Sequence, residues 1–202
     1  MSKNVKRAIS CLLLIYTAVY LLNPAALQAA EKEIVISDQK RPDGKKEITA
    51  VFYLDTEPEL IYGILKDVRK FPEFMPDSEK VDMIEEGDNF HIVKFSGAIG
   101  PFDSIVVMKR VFNDQDKSIE WVQLEGLAKE VSGLWKVEGN RQGEKGTKVF
   151  YSNYVNAGKL VPPFMVRRYM KKNILQMVDA IKNRVNTVGK KDNGAGQLPG
   201  AQ

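Results

Sequence analysis

A chain of 202 residues with 44% hydrophobic and 28% charged residues has the composition of one folded domain with tails, not of a disordered protein. Its formal charge of +4 is concentrated at the start: residues 1–30 carry Lys3, Lys6 and Arg7 and no acid, and without them 27 basic residues face 26 acidic ones. So neutral a body argues against nucleic acid as a partner, since binding it needs many phosphate-neutralising cations. The single cysteine, Cys11, rules out an internal disulfide.

Residues 1–30 have the layout of a secretory signal peptide. The positive start precedes an apolar run from Ala8 to Leu22, then a break at Asn23-Pro24, then small residues up to Ala30. The product is expected in the periplasm or outside the cell. An uncleaved inner-membrane anchor over Ala8–Ala30, facing the periplasm, is the competing reading, because Leu27 or Gln28 stands where cleavage prefers a small residue.

Residues 31–44 read as a polar N-terminal extension with a turn at Arg41-Pro42-Asp43-Gly44 and room for a short strand at Glu33–Ser37. From Glu47 to Leu54, Ile48, Ala50, Phe52 and Leu54 alternate with Thr49, Val51 and Tyr53, the pattern of a well-buried strand. Thr56 with Glu59 three residues on predicts a capping box, with Pro58 in the first helical turn. Leu60, Ile61, Ile64, Leu65 and Val68 form a helical stripe. Phe71-Pro72 and Met75-Pro76 then interrupt the chain, so 57–76 reads as two short helices.

Six runs rich in β-branched and aromatic residues come next, separated by turn clusters: Val81–Glu85, Phe90–Ser96, Phe102–Phe112, Ser118–Leu124, Val131–Glu138 and Thr147–Asn156. They predict an antiparallel meander. Ile174, Met177, Val178, Ile181, Val185 and Val188 recur at helical spacing, predicting a long amphipathic helix over 164–188 that ends at Gly189. Residues 189–202 read as a disordered tail. The economical packing is an α+β domain: a curved antiparallel sheet of about seven strands gripping the long C-terminal helix, with two short helices near its N-terminus.

Catalytic and metal-binding patterns are missing from the sequence. His91 is the only histidine and has no metal-ligand or triad spacing around it. The glycines of Gly139–Gly146 lie between two strands and open no helix, so they do not cradle a phosphate, and no cofactor is implied. Glu120, Glu125 and Asp103 read as surface carboxylates. No catalytic or metal residues are assigned.

The order of elements, with Asp67-Val68-Arg69-Lys70-Phe71-Pro72-Glu73-Phe74-Met75-Pro76, Gly100-Pro101-Phe102, Ile119-Glu120-Trp121, Gly133-Leu134-Trp135, Gly146-Thr147-Lys148-Val149 and Val161-Pro162-Pro163-Phe164, resembles the START-like SRPBCC superfamily. Its coenzyme Q-binding and polyketide cyclase/dehydrase branch is the most similar. The resemblance covers about residues 45–188. It implies the helix-grip fold and a hydrophobic cavity for a lipid-like molecule such as a phospholipid or quinone, carried or, alternatively, acted on by a cyclase/dehydratase-type enzyme. The aromatic and methionine side chains expected around that ligand are Phe74, Met75, Phe95, Met108, Trp121, Trp135, Tyr151, Phe164, Met165 and Tyr169, since thioethers fit irregular shapes. Arg167, Arg168, Lys171 and Lys172 form two i, i+4 pairs beside the stiff Val161-Pro162-Pro163-Phe164 turn, a pattern suited to an anionic membrane surface.

Overall fold

Alternation fixes which side of each strand is covered. In the computed structural model, which describes residues 34–99, 102–139, 146–158 and 161–194, Ile48, Ala50, Phe52 and Leu54 are all buried on one face of their strand. Eight strands form one antiparallel sheet: β1 (Val35–Lys40), β2 (Lys46–Leu54), β3 (Lys80–Glu86), β4 (Phe90–Ile99), β5 (Phe102–Asn113), β6 (Ser118–Gly126), β7 (Glu130–Glu138) and β8 (Thr147–Asn156). The order across the sheet is β1-β2-β8-β7-β6-β5-β4-β3. Strands β3 to β8 are the expected meander. The β1–β2 hairpin docks on β8, with Ala50 opposite Tyr151 and Phe52 opposite Val149.

Helix α1 (Pro58–Lys66) and a 3-10 helix (Val68–Glu73) carry the chain from β2 to β3, across the width of the sheet. Helix α2 (Pro163–Gly194) fills the concave side. Its Ile174, Met177, Val178, Ile181 and Val185 share one core with Phe52, Leu54, Trp121, Trp135 and Tyr151 of the sheet and Ile61, Tyr62 and Leu65 of α1. A smaller cluster, Val68, Phe71 and Val93, sits under the 3-10 helix. This is the helix-grip architecture expected from the sequence.

Three expectations are corrected. The sheet has eight strands rather than about seven. The extra one is β1, where the sequence leaves room for a short strand at Glu33–Ser37: Ile34 and Ile36 pack on the core, and the Ser37 and Thr49 hydroxyls bond at 2.8 Å across the pair. Polar residues survive there because an edge strand needs only one covered face. The capping box does not form. Glu57 is the N-cap of α1 and makes no side-chain cap bond, with Pro58 starting the helix, while the Thr56 carbonyl is taken by the Thr147 hydroxyl. Proline at the first position lacks one of the N–H groups that a cap would satisfy. Finally, α2 runs past Gly189 to Gly194, because Gly189 does not take the positive φ that ends a helix at glycine.

Residues 1–33, which hold the expected signal peptide, together with Gly100-Pro101 and residues 140–145, 159–160 and 195–202, lie outside the described residues. No helix among the described residues is long and apolar enough to cross a membrane.

Candidate functional site

The start of α2 meets the sheet at the β1–β2–β8 corner, where the strands end before the helix has fully closed over them. A cleft of about 780 Å³ opens there. Its apolar lining comes from Ile48 of β2 and from Val161, Phe164, Val166 and Met170 at the helix start, and its floor from Asn153 of β8. Lys40, Lys46, Asp38 and Arg167 stand around it, the last two joined as an ion pair. The Asn153 Oδ1 is buried and has no hydrogen-bond partner among the described residues. A buried amide oxygen left alone is costly, so it marks a place where a ligand could supply the missing bond.

Asn153 follows Tyr151 by two residues on the inward face of β8. Tyr151 packs on Trp135 with ring centroids 4.5 Å apart and on Trp121 at 5.7 Å. All three rings are buried in the core, so they stand behind the cleft rather than in its lining. Burial drives the Tyr151 phenol far above its ordinary value, which keeps it neutral.

The other predicted ligand residues are spread more widely. Phe164 lines the cleft and is 71% exposed. Met165 is exposed and is not in the lining. Tyr169 donates from its hydroxyl to Asp77, and burial together with that bond raises its pKa. Met108 is half-buried against the main core, and Phe95 against the smaller cluster, where it meets Phe71. Phe74 and Met75 touch both clusters. Phe74 also lines a recess of about 220 Å³ between α1 and the far half of α2, where Arg184 lies over its ring and pairs with Glu73 at 2.9 Å. The ten residues therefore do not line one cavity.

The four predicted membrane-contact cations also separate. Arg167 turns toward the sheet and pairs with Asp38, so it does not belong to the outward cluster expected from the i, i+4 spacing. Arg168, Lys171 and Lys172 have no ion pair among the described residues.

Two features were not anticipated. Arg110 is 3% exposed, on the same strand face as Met108 and Phe112. Its guanidinium donates to the Leu65 carbonyl at 2.7 Å and, more weakly, to Lys66 at 3.4 Å, closing the C-terminal end of α1, and it lies over the Phe71 and Phe112 rings. Burial pulls its pKa down to about 9, which leaves it charged at neutral pH. An arginine spaced by two from Met108 and Phe112 was the available signal. The second feature is His91, which is buried: its Nε2 lies 3.1 Å from Glu86 and its ring packs edge-on against Phe112. Neither group reaches the cleft. Glu120, Glu125 and Asp103 are exposed, as read from the sequence.

These features belong to a ligand-holding helix-grip domain, and comparison with known proteins makes the class specific. The chain belongs to the polyketide cyclase/dehydrase and lipid transport family, whose model matches residues 54–182. Its fold is similar to that of a Streptomyces aromatase/cyclase (TM-score 0.62, 18% identity, 75% of this chain and 98% of that one). It is also similar to a START superfamily protein from Mycobacterium smegmatis (0.62, 13%, 70% and 98%). A third likeness is to a STAR-related lipid transfer protein from Xanthomonas axonopodis (0.58, 14%, 75% and 98%). No curated protein matches the chain.

Proposed function

We propose that this protein is an exported, non-catalytic carrier that holds a hydrophobic, lipid-like molecule, a phospholipid or quinone or a compound of similar shape, in the cleft at the start of α2. The observation that carries this reading is the make-up of the cleft: apolar side chains from two distant parts of the chain around the half-buried Asn153, whose buried amide oxygen lacks a partner among the described residues. Ligand sites are commonly mostly apolar with a few placed polar groups. An amide can present its oxygen or its nitrogen to the polar end of such a molecule. Export rests on the sequence of residues 1–30.

A cyclase-type activity on a ligand in the same cleft is the second reading. It is supported by the family's cyclase and dehydrase members and by the aromatase/cyclase of like fold.

Native mass spectrometry of the protein purified from its own cell envelope tests both. The carrier reading expects added mass that extracts as one apolar compound and returns unchanged after incubation with the protein. A chemically altered compound establishes the enzyme. A protein that retains nothing and binds none of a series of phospholipids and quinones would falsify the carrier reading.

A further inference from the structure

Successive helical residues are turned by 100°, so Phe164, Met165, Arg168, Lys171, Lys172 and Leu175 fall within one arc of about 120° on the first turns of α2. That arc lies beside the face of Ile174, Met177, Val178 and Ile181, which are buried in the core; half-buried Lys171 marks the edge between the two, and the other five side chains are exposed. Phe164 is 71% exposed, Met165 52% and Leu175 46%, a concentration of exposed apolar side chains within twelve residues.

The flanks of the helix explain why this arc stays outward. On one side Arg167 pairs with Asp38 of β1. On the other, Tyr169 and Asn173 both donate to the Asp77 carboxylate in the loop before β3. The two carboxylates hold α2 from both sides and set its rotation. Arg168, Lys171 and Lys172 are left without an ion pair among the described residues. Asp179, two turns further on, is the acid nearest to them along the helix. Cations in the first turns oppose the helix dipole, so helix stability does not account for them.

Cations alternating with exposed large apolar groups match a bilayer with anionic headgroups: the cations meet phosphate, and the apolar groups enter the interface. Phe164 belongs to both the arc and the lining of the cleft. We propose that the outward face of the first turns of α2, through Arg168, Lys171, Lys172, Phe164, Met165 and Leu175, docks on an anionic lipid surface and brings the mouth of the cleft to it. This rests on the carrier reading and adds where its ligand would be collected and released.

The test is co-sedimentation of the full chain with phosphatidylcholine vesicles, with and without phosphatidylglycerol, at low and high salt. The R168A/K171A/K172A variant is measured in parallel. Each cation near an anionic surface contributes about fivefold, so the triple variant should lose on the order of a hundredfold in affinity for the anionic vesicles. The preference for those vesicles should also shrink at high salt. Residues 1–30 carry cations and an apolar run of their own. Any binding that they supply persists in the variant, so only the part lost on substitution counts. Equal binding of wild type and variant to anionic vesicles overturns the proposal, as does equal binding of the wild type to both vesicle types. A parallel titration with a soluble short-chain phospholipid, read by tryptophan fluorescence without vesicles, reports on the cleft alone. The three cations do not line the cleft, so the variant should bind that probe as the wild type does. Failure of both proteins to bind it counts against the carrier reading and leaves the vesicle result to be judged separately.

Discussion

Trp121 lies across Gly133 on the neighbouring strand so closely that a Cβ at position 133 would stand 2.2 Å from the indole Cζ2 and 2.3 Å from the Ser152 carbonyl oxygen. The missing side chain is what lets the indole lie flat and reach Tyr151, and so builds the aromatic group behind Asn153. Gly133→Ala cannot be relieved by a rotamer change alone, because one obstacle is backbone. The expected cost is about 1–3 kcal/mol, the usual range for overpacking a core. Urea unfolding followed by tryptophan fluorescence should show a lower midpoint and an altered native spectrum. An unchanged spectrum would mean that the indole does not rest on this glycine.

Arg110 adds to the cap of α1 at its C-terminal end, where Asp67 N–H already bonds the Gly63 carbonyl, by taking the carbonyls of Leu65 and Lys66. It carries a charge into the core with no carboxylate paired to it among the described residues, and the helix-end carbonyls of Leu65 and Lys66 offset that burial. Arg110→Met keeps the volume and removes the donors. It should destabilise the fold by about 1–3 kcal/mol, the cost of leaving buried acceptors unmade. Arg110→Ala adds a cavity and should cost more. Chemical denaturation of the two variants separates the polar part from the packing part. A methionine variant as stable as the wild type would show that the desolvation cost of the guanidinium cancels its bonds.

His91 makes stability depend on pH in the mildly acidic range. Burial lowers its pKa below the ordinary 6.5; Glu86 pulls it back up, and the positive charges of Arg110 and Arg69 add to the depression. Below pH 6.5 the unfolded chain therefore takes up a proton that the folded protein resists. The stability tied to this residue is full above 6.5 and is lost as pH falls toward the lower folded value. Glu86, whose own pKa is lowered chiefly by its bond from Arg69, adds its loss only below its ordinary 4.5. Unfolding midpoints measured from pH 7.5 down to 5 should fall for the wild type and much less for His91→Gln. Parallel slopes would remove His91 from the account.

Most of the fold could be read because its strands are long, alternate cleanly and are separated by turn clusters; Phe52, Trp121 and Trp135 were all on the buried side that alternation requires. Strand β1 was harder, since only Ile34 and Ile36 of its region pack on the core, and an edge strand shows half a pattern. The site was less legible than the fold. The cleft joins Lys46 and Ile48 of β2 to Asn153 of β8 and Phe164 of α2, more than a hundred positions apart, and the β2–β8 pairing that brings them together leaves no periodic trace in one sequence. The i, i+4 rule placed four cations together, but the ion pair with Asp38 takes Arg167 out of the group, and that partner lies in the strand that was hardest to see. Arg110 leaves little trace in the sequence, because the helix end that takes its guanidinium becomes apparent only once α1 is packed on β5.

Asp77 has the part in this fold that is simplest to isolate. Its backbone sits at φ 58°, a left-handed conformation that aspartate tolerates better than most residues. The loop reaches α2 because Gly97 lets it approach β4: a Cβ there would fall 2.0 Å from the Asp77 carbonyl oxygen. From that position the carboxylate takes the Tyr169 hydroxyl and the Asn173 amide. Asp77→Gly removes the carboxylate while easing the backbone, and Tyr169→Phe removes one donor with the backbone untouched. Tyr169→Phe should weaken the hold on the first turns of α2 by about 1 kcal/mol, the net worth of a typical hydrogen bond, and Asp77→Gly, which removes two, by at least that. Local opening would then be about fivefold more frequent. Hydrogen exchange resolved by peptide should quicken by that factor over residues 163–173 and stay unchanged over 177–185, where Met177, Val178, Ile181 and Val185 are buried. Exchange that quickens along the whole helix would mean that Asp77 supports the domain at large. Exchange unaltered in both variants would mean that the ion pair from Asp38 to Arg167 holds the helix start alone.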